Sequence, residues 1–154
     1  MSPSTRLAIV VAQFNQEITD KMLRQALRRS AAIKALVTYV CKVPGSYDMP
    51  LIVQALLKKD DVDAVVTLGA IVRGDTKHDE VIAHAIAGKL IELSLHYRKP
   101  VTLGIAGPGM TRQQAKARVT EYADRSVNAA IKMALIHKKV NRKTEKLRHP
   151  SVIQ

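Results

Sequence analysis

The 154-residue sequence predicts an α/β protein, a three-layer α/β/α sandwich around a four-stranded parallel sheet in a single domain. Three observations carry that reading. Strand-like and helix-like segments alternate four times, a pattern that gives parallel strands joined by right-handed crossovers. Most strand segments are near-continuous apolar runs, as expected of strands covered on both faces. The least ordinary residues of the chain follow those runs directly, where ligands bind in open α/β sheets.

The first run is residues 7–12, followed by Gln13-Phe14-Asn15. Asn15 is a good helix N-cap, and the apolar positions Ile18, Met22, Ala26 and Ile33 then recur near helical spacing. Phe14 is the only phenylalanine of the chain. Its place at a strand-to-helix junction fits either a core staple or a ring-stacking platform at the sheet edge. Residues 36–43 form the second, β-branched run, which ends in Pro44-Gly45-Ser46-Tyr47-Asp48-Met49-Pro50. Pro44-Gly45 signals a turn, and Pro50 suits the first turn of a helix continuing to Lys59. Asp60 and Asp61 lead into the third run, residues 62–70.

A long helix beginning near Thr76 carries the apolar stripe Val81, Ile82, Ala85, Ile86, Leu90, Leu93 and Leu95, and Thr76 with Asp79 approximates a capping box. Arg98-Lys99-Pro100 ends it, residues 101–106 form the fourth run, and Gly107-Pro108-Gly109 reads as a turn. Thr111 with Gln114 makes a better capping box, opening a final helix through about His137. Residues 1–137 are thus expected to form the α/β domain and residues 138–154 a basic, flexible tail.

Composition narrows the function. At 47% hydrophobic and 25% charged residues the chain reads as globular. With no apolar run of membrane-spanning length and no signal-peptide core in residues 1–5, a cytoplasmic protein is expected. Cys41, the only cysteine, lies in an apolar run and is expected to be a buried, inert thiol. The net charge of +12 raises nucleic acid as a partner. Residues 138–154 hold six Lys/Arg against one Glu, and the other excess charges spread over helix faces. Aromatics are 3% of the chain and no RNA-reading aromatic motif is present, so nucleic acid is not the expected ligand. His78 and His84 stand six apart, off the i, i+4 face of a paired-histidine metal site, and no metal is expected.

The stretch from Val65 to Val81 is the chemical centre. A buried strand breaks into a polar loop of Arg73, Gly74, Asp75 and Thr76 and runs into a helix whose first turn carries Lys77 and His78. Unpaired N–H groups and the helix dipole make such a junction an anion site. The same positive field favours a neutral histidine ring. A phosphate cradle beside a neutral histidine, the start of an active site, is the expectation.

Phe14-Asn15, then 43–50 (Val-Pro-Gly-Ser-Tyr-Asp-Met-Pro), then 68–78 (Leu-Gly-Ala-Ile-Val-Arg-Gly-Asp-Thr-Lys-His) resemble the lumazine synthase family in order and spacing, with an archaeal flavour. Pro100-Val101-Thr102-Leu103-Gly104 and Gln114-Ala115 leading to Arg118 continue the match, which covers roughly residues 7–137. The resemblance implies a flavodoxin-like fold and a cofactor-free transferase of riboflavin biosynthesis. It would condense 5-amino-6-ribitylaminouracil with 3,4-dihydroxy-2-butanone 4-phosphate to 6,7-dimethyl-8-ribityllumazine. It also implies a homopentamer, with twelve pentamers forming a hollow shell in some members, and active sites between neighbouring subunits. Carried over by residue, His78 moves protons and Phe14 stacks on the pyrimidine with Asn15 beside it. Tyr47 and Asp48 lie beside the ribityl chain, Ser46 is a further substrate-binding residue, and Ala70 and Ile71 give backbone contacts. Gly74, Asp75 and Thr76 hold phosphate, and a neighbour supplies Leu103 and Arg118, whose planar fork suits phosphate. The chain departs from the family pattern in four places: Asp48 where Glu is frequent, Asp79 where an aromatic follows the histidine, Leu103 where a ring is usual, and Ser126, next to Arg125, where some members have a lysine near the phosphate.

Three other readings are open to the sequence. One is the archaeal-type riboflavin synthase of the same fold, against which the phosphate loop argues, since that reaction uses no phosphate. The others are a catalytically lapsed shell scaffold, prompted by Leu103 and Asp79, and a nucleic-acid binder using the basic tail.

Overall fold

The computed structural model describes residues 4–142 and 152–154. Four strands, β1 (Arg6–Ala12), β2 (Leu36–Val43), β3 (Ala64–Val72) and β4 (Val101–Met110), form one sheet in the order β2-β1-β3-β4. Every neighbouring pair is parallel. The helices are α1 (Gln16–Ala32), α2 (Met49–Leu57), α3 (His78–Tyr97), α4 (Arg112–Ala117) and α5 (Val119–Arg142), and a 3₁₀ turn covers Ser46–Asp48. This is the expected flavodoxin-like α/β sandwich.

The two central strands explain the core. Successive side chains of a strand point to opposite faces. Leu7, Ile9 and Val11 of β1 and Ala64, Val66, Leu68 and Ala70 of β3 therefore pack with α1, α4 and α5. Ala8 and Val10, with Val65 and Ile71, pack with α2 and α3 on the other face. Each fully buried Val, Leu or Ile contributes roughly 1.5–3 kcal/mol of transfer free energy, so two apolar layers hold the sheet between them. Thr67, a buried polar residue of β3, donates its hydroxyl to the Thr102 carbonyl at 2.7 Å.

Sheet order also corrects one expectation. β2 is an edge strand, so Cys41 is half-buried and not fully enclosed, though its thiol is unpaired as expected. Two further differences concern the last third of the chain. Gly107-Pro108-Gly109 does not end β4. The strand runs on to Met110 through an irregularity in its pairing with β3, with Gly107 at φ +109° and Gly109 at φ +75°. An added Cβ at Gly107 would stand 2.1 Å from the Ile71 carbonyl oxygen, so both conformation and closeness require glycine there. The final helix is two helices that break at Arg118, and the second extends past His137 to Arg142. The Thr111–Gln114 capping box forms as expected, with reciprocal bonds of 3.1 and 3.0 Å. Residues 138–142 of the expected tail are helical, and most of the remainder, residues 143–151, lies outside the described residues.

Candidate active site at the carboxyl end of the sheet

Connections from β1 lead one way across the sheet to β2, and those from β3 lead the other way to β4. The crevice between the carboxyl ends of β1 and β3 is therefore the topological switch point, where open α/β sheets bind ligands. Most of the residues picked out from the sequence stand here.

After β1, the backbone N–H groups of Gln13 and Phe14 donate to the carbonyls of Val43 and Pro44, at 2.7 and 2.9 Å. This pairing fastens Phe14 beside the loop that follows β2. Phe14 is 71% exposed and lines the crevice, so it is not a core staple, and its ring is open to a ligand there. Asn15 stands at the N-cap position of α1, but in left-handed backbone (φ 59°) and without capping through its side chain. The amide instead crosses the crevice and donates to the Ala70 carbonyl at 2.8 Å, while its oxygen accepts from Arg112 at 2.9 Å. Arg112 also pairs with Glu17. Asn15 is thus a brace between β1 and β3, held by a residue of α4 that the sequence reading did not single out.

After β2, Ser46 is buried beneath Gly69, where an added Cβ would lie 2.5 Å from the serine hydroxyl oxygen. The missing side chain on β3 lets the 3₁₀ turn approach the sheet and presents Tyr47, 69% exposed, to the crevice. Asp48 turns back on its own loop and accepts from the Gly45 N–H at 2.9 Å. It lines the grooves on the outer side of Tyr47 and not the crevice itself.

After β3, the Arg73 N–H donates to the Met110 carbonyl at 2.7 Å, and the chain crosses to α3 through exposed Gly74, Asp75, Thr76 and Lys77. α3 begins at His78, with Lys77 at its N-cap position. The expected Thr76–Asp79 capping box does not form. The Thr76 hydroxyl accepts a long bond from the His78 N–H, at 3.4 Å, and the Asp79 carboxylate is drawn away to Gly109, whose N–H it accepts at 3.0 Å.

These segments enclose a cavity of about 400 Å³. Phe14, Tyr47, Ile71, Val72 and Ile82 give it apolar walls, and Gly74, Thr76, His78 and Asp79 give it a polar end. Val72, Asp79, Ile82 and Gly45 were not foreseen as lining. Ile82 carried a signal in the sequence, since it lies one helical turn after His78 on the same face. Asp75, in the loop, does not line the cavity, nor do Leu103 and Arg118. Leu103 is half-exposed on the edge strand β4 and borders a separate cavity of about 100 Å³ beyond Ile71, and Arg118 is exposed at the α4–α5 junction. Among the described residues no three His, Cys, Asp or Glu side chains gather as a metal site, and no helix is long and apolar enough to cross a membrane.

Chemically, the arrangement offers an aromatic face, main-chain groups at a strand end, unpaired N–H groups at a helix start and one imidazole. That set suits a flat heterocycle at one end of the cavity and an anion at the other. Comparison with known proteins identifies the family. The family model for 6,7-dimethyl-8-ribityllumazine synthase matches residues 4–138. The 6,7-dimethyl-8-ribityllumazine synthase of Pyrobaculum arsenaticum is 54% identical over 129 residues, 84% of this chain and 86% of the relative. That of Saccharolobus islandicus is 52% identical over 138 residues, 90% of both chains, and that of Metallosphaera sedula 52% over 131 residues, 85% of this chain and 87% of the relative. With matches of that extent, the chain belongs to the 6,7-dimethyl-8-ribityllumazine synthase family.

Proposed function

We propose that this chain condenses 5-amino-6-ribitylaminouracil with 3,4-dihydroxy-2-butanone 4-phosphate to 6,7-dimethyl-8-ribityllumazine, releasing phosphate and water. The observation that carries the reading is the gathering of Phe14, Ala70, Ile71, Gly74, Thr76 and His78 around one cavity, in a chain of this family. The pyrimidine stacks on Phe14 and meets main-chain groups of Ala70 and Ile71. The butanone phosphate lies at the start of α3, its phosphate on the N–H groups near Gly74, Asp75 and Thr76. Held in this way, the amine attacks the ketone, water leaves to give an imine, phosphate is eliminated, and ring closure expels a second water. Positioning supplies most of the acceleration, since oriented reactants gain effective molarities of roughly 10⁵–10⁸ M. His78 carries protons to and from the departing groups, worth about 10²–10⁴-fold.

The active unit is a homopentamer. Leu103 and Arg118 stand away from their own chain's cavity, which leaves them free to complete a neighbour's, with Arg118 on the phosphate. Exposed Val81, Ile91 and Leu95 on α3 offer an apolar surface for the contact. The phosphorylated substrate does not cross membranes, so the reaction belongs to the cytoplasm.

The deciding assay mixes the purified chain with both substrates, without added metal or nucleotide, and follows the lumazine chromophore and released phosphate. Turnover by a particle of five chains, or a multiple of five, is expected. A folded oligomer without turnover, or riboflavin formed from supplied lumazine, would sink the reading.

A further inference from the structure

We infer that Asp79 is a positioning residue for His78, acting as one of two anchors that suspend the 73–77 loop from the end of β4. The inference rests on the reaction proposed above. Asp79 is, among the described residues, the only charged side chain that is buried, at 6% exposure, whereas its neighbours His78 and Glu80 are exposed. A buried carboxylate is costly unless its oxygens are satisfied, and the first turn of a helix with a main-chain N–H donor is a place where it can be. Its partner is the N–H of Gly109, 3.0 Å away, in the irregular end of β4 where Gly107 and Gly109 both have positive φ.

The second anchor is two residues before Asp75. The Arg73 N–H donates to Met110, the residue next to Gly109. The loop therefore leaves β4's side at Arg73 and returns to it at Asp79, with both ends fixed to adjacent residues of one strand. Between the anchors stand only two long bonds among the described contacts, from the His78 N–H to the Thr76 hydroxyl at 3.4 Å and from the Val81 N–H to the Lys77 carbonyl at 3.3 Å. His78 lies one residue inside the Asp79 anchor. Where the imidazole stands over the cavity thus depends on the Asp79–Gly109 bond. The bond requires an acceptor at position 79, and an amide oxygen can serve as well as a carboxylate oxygen.

Asp79→Ala, Asp79→Asn and His78→Ala, with the Asp79→Ala/His78→Ala double variant, test this in the assembled protein. Asp79→Ala is expected to lower kcat about tenfold with little change in KM for the aminouracil, because a misplaced catalytic group costs rate more than binding. Asp79→Asn should recover most of that loss. In the His78→Ala background, Asp79→Ala should cost no further kcat, the signature of two residues acting through one another. Equal losses in the Ala and Asn variants, or losses that simply add to that of His78→Ala, would overturn the inference. A readout independent of turnover guards against a wrong reaction or poor folding: amide exchange at Gly109 and the ring resonances of His78, measured by NMR in the wild type and both single Asp79 variants. Faster Gly109 exchange and a shifted His78 ring in the Ala variant, both restored in the Asn variant, support the clamp. An unchanged His78 ring in Asp79→Ala refutes it even if the wild type turns over nothing.

Discussion

The two ends of the sheet carry cavities of different make. The larger, about 640 Å³, lies at the amino ends of the strands, and the smaller, about 400 Å³, at the carboxyl ends. At the amino end polar side chains are spent on the fold. Arg6 grips Asp63 with both prongs of its fork, at 2.8 and 3.1 Å, Lys99 donates to the Lys59 carbonyl at 2.7 Å, and Arg98 reaches Asn141 at 3.5 Å. Arg98 closes α3 and Arg142 lies in the last turn of α5, where cations complement the negative end of a helix. At the carboxyl end Phe14 and Tyr47 are held out in solvent, and past Arg73 the loop of residues 74–77 leaves its N–H groups open. Volume and charge mark the first cavity, and idle functional groups mark the second. Only the second has what a reaction needs.

The contrast is sharpest at His78. If His78 has the role proposed for it, His78→Ala is expected to lower kcat by about 10²–10⁴-fold, and with an unaltered melting temperature because the residue is exposed. Lys138→Glu, in the other cavity, should leave kcat within about twofold. If the Lys138 variant lost activity comparably, the division between the two ends would fail. A smaller effect is expected from Gly107→Ala, which forces a Cβ into left-handed backbone against the Ile71 carbonyl. It should destabilise the fold by about 1–3 kcal/mol, seen as a lower denaturant midpoint with unchanged slope. Smaller again, Phe14→Ala should raise KM for the aminouracil roughly tenfold, given about 1–3 kcal/mol for stacking a base on an aromatic ring. Chemical stability should move by less than about 0.5 kcal/mol, since the ring covers nothing. A large stability loss with unchanged KM would return Phe14 to the core.

The fold was legible because the central strands declare themselves. Residues 7–12 are apolar without interruption and 64–71 are broken only by Thr67 and Gly69, and that pattern has one common explanation in a chain that alternates strand and helix. The position of the crevice followed from the same alternation. Less legible were side chains that act across the fold. Asn15 and Asp79 have the local chemistry of helix caps, yet each makes its bond to a strand far away in sequence, to Ala70 and Gly109. Local spacing carries no information about such partners. Gly107-Pro108-Gly109 likewise has the composition of a turn, and it stays in the strand because Ala106 and Met110 on either side of it pair with β3. Arg112 was missed for the same reason: its task is set by Asn15 and Glu17, nearly a hundred positions earlier.

The smallest expected effect tests the amino end by acid. Burial raises the affinity of the Asp63 carboxyl for its proton, but the Arg6 side-chain and main-chain hydrogen bonds, with the charges of Arg6 and Lys138, outweigh it and hold the group below the usual carboxylate range. The folded chain therefore releases this proton more readily than the unfolded chain. Asp63 contributes stability at any pH above its unfolded value of about 3.9, and the contribution is lost as pH falls from there through the lower folded value. Asp63→Asn should melt a few degrees below the wild type between about pH 5 and 8, with the gap closing below about pH 4. The gap should stay small and shrink in high salt, because both side chains are more than a third exposed, at 38% and 35%. Turnover should not change at all. A gap that persisted in acid would mean that Asp63 acts through its main-chain bond to Arg6 and not through charge. A gap that closes with both acid and salt makes the charge of this cavity a fastening of β1 to the start of β3, with no ligand needed to explain it.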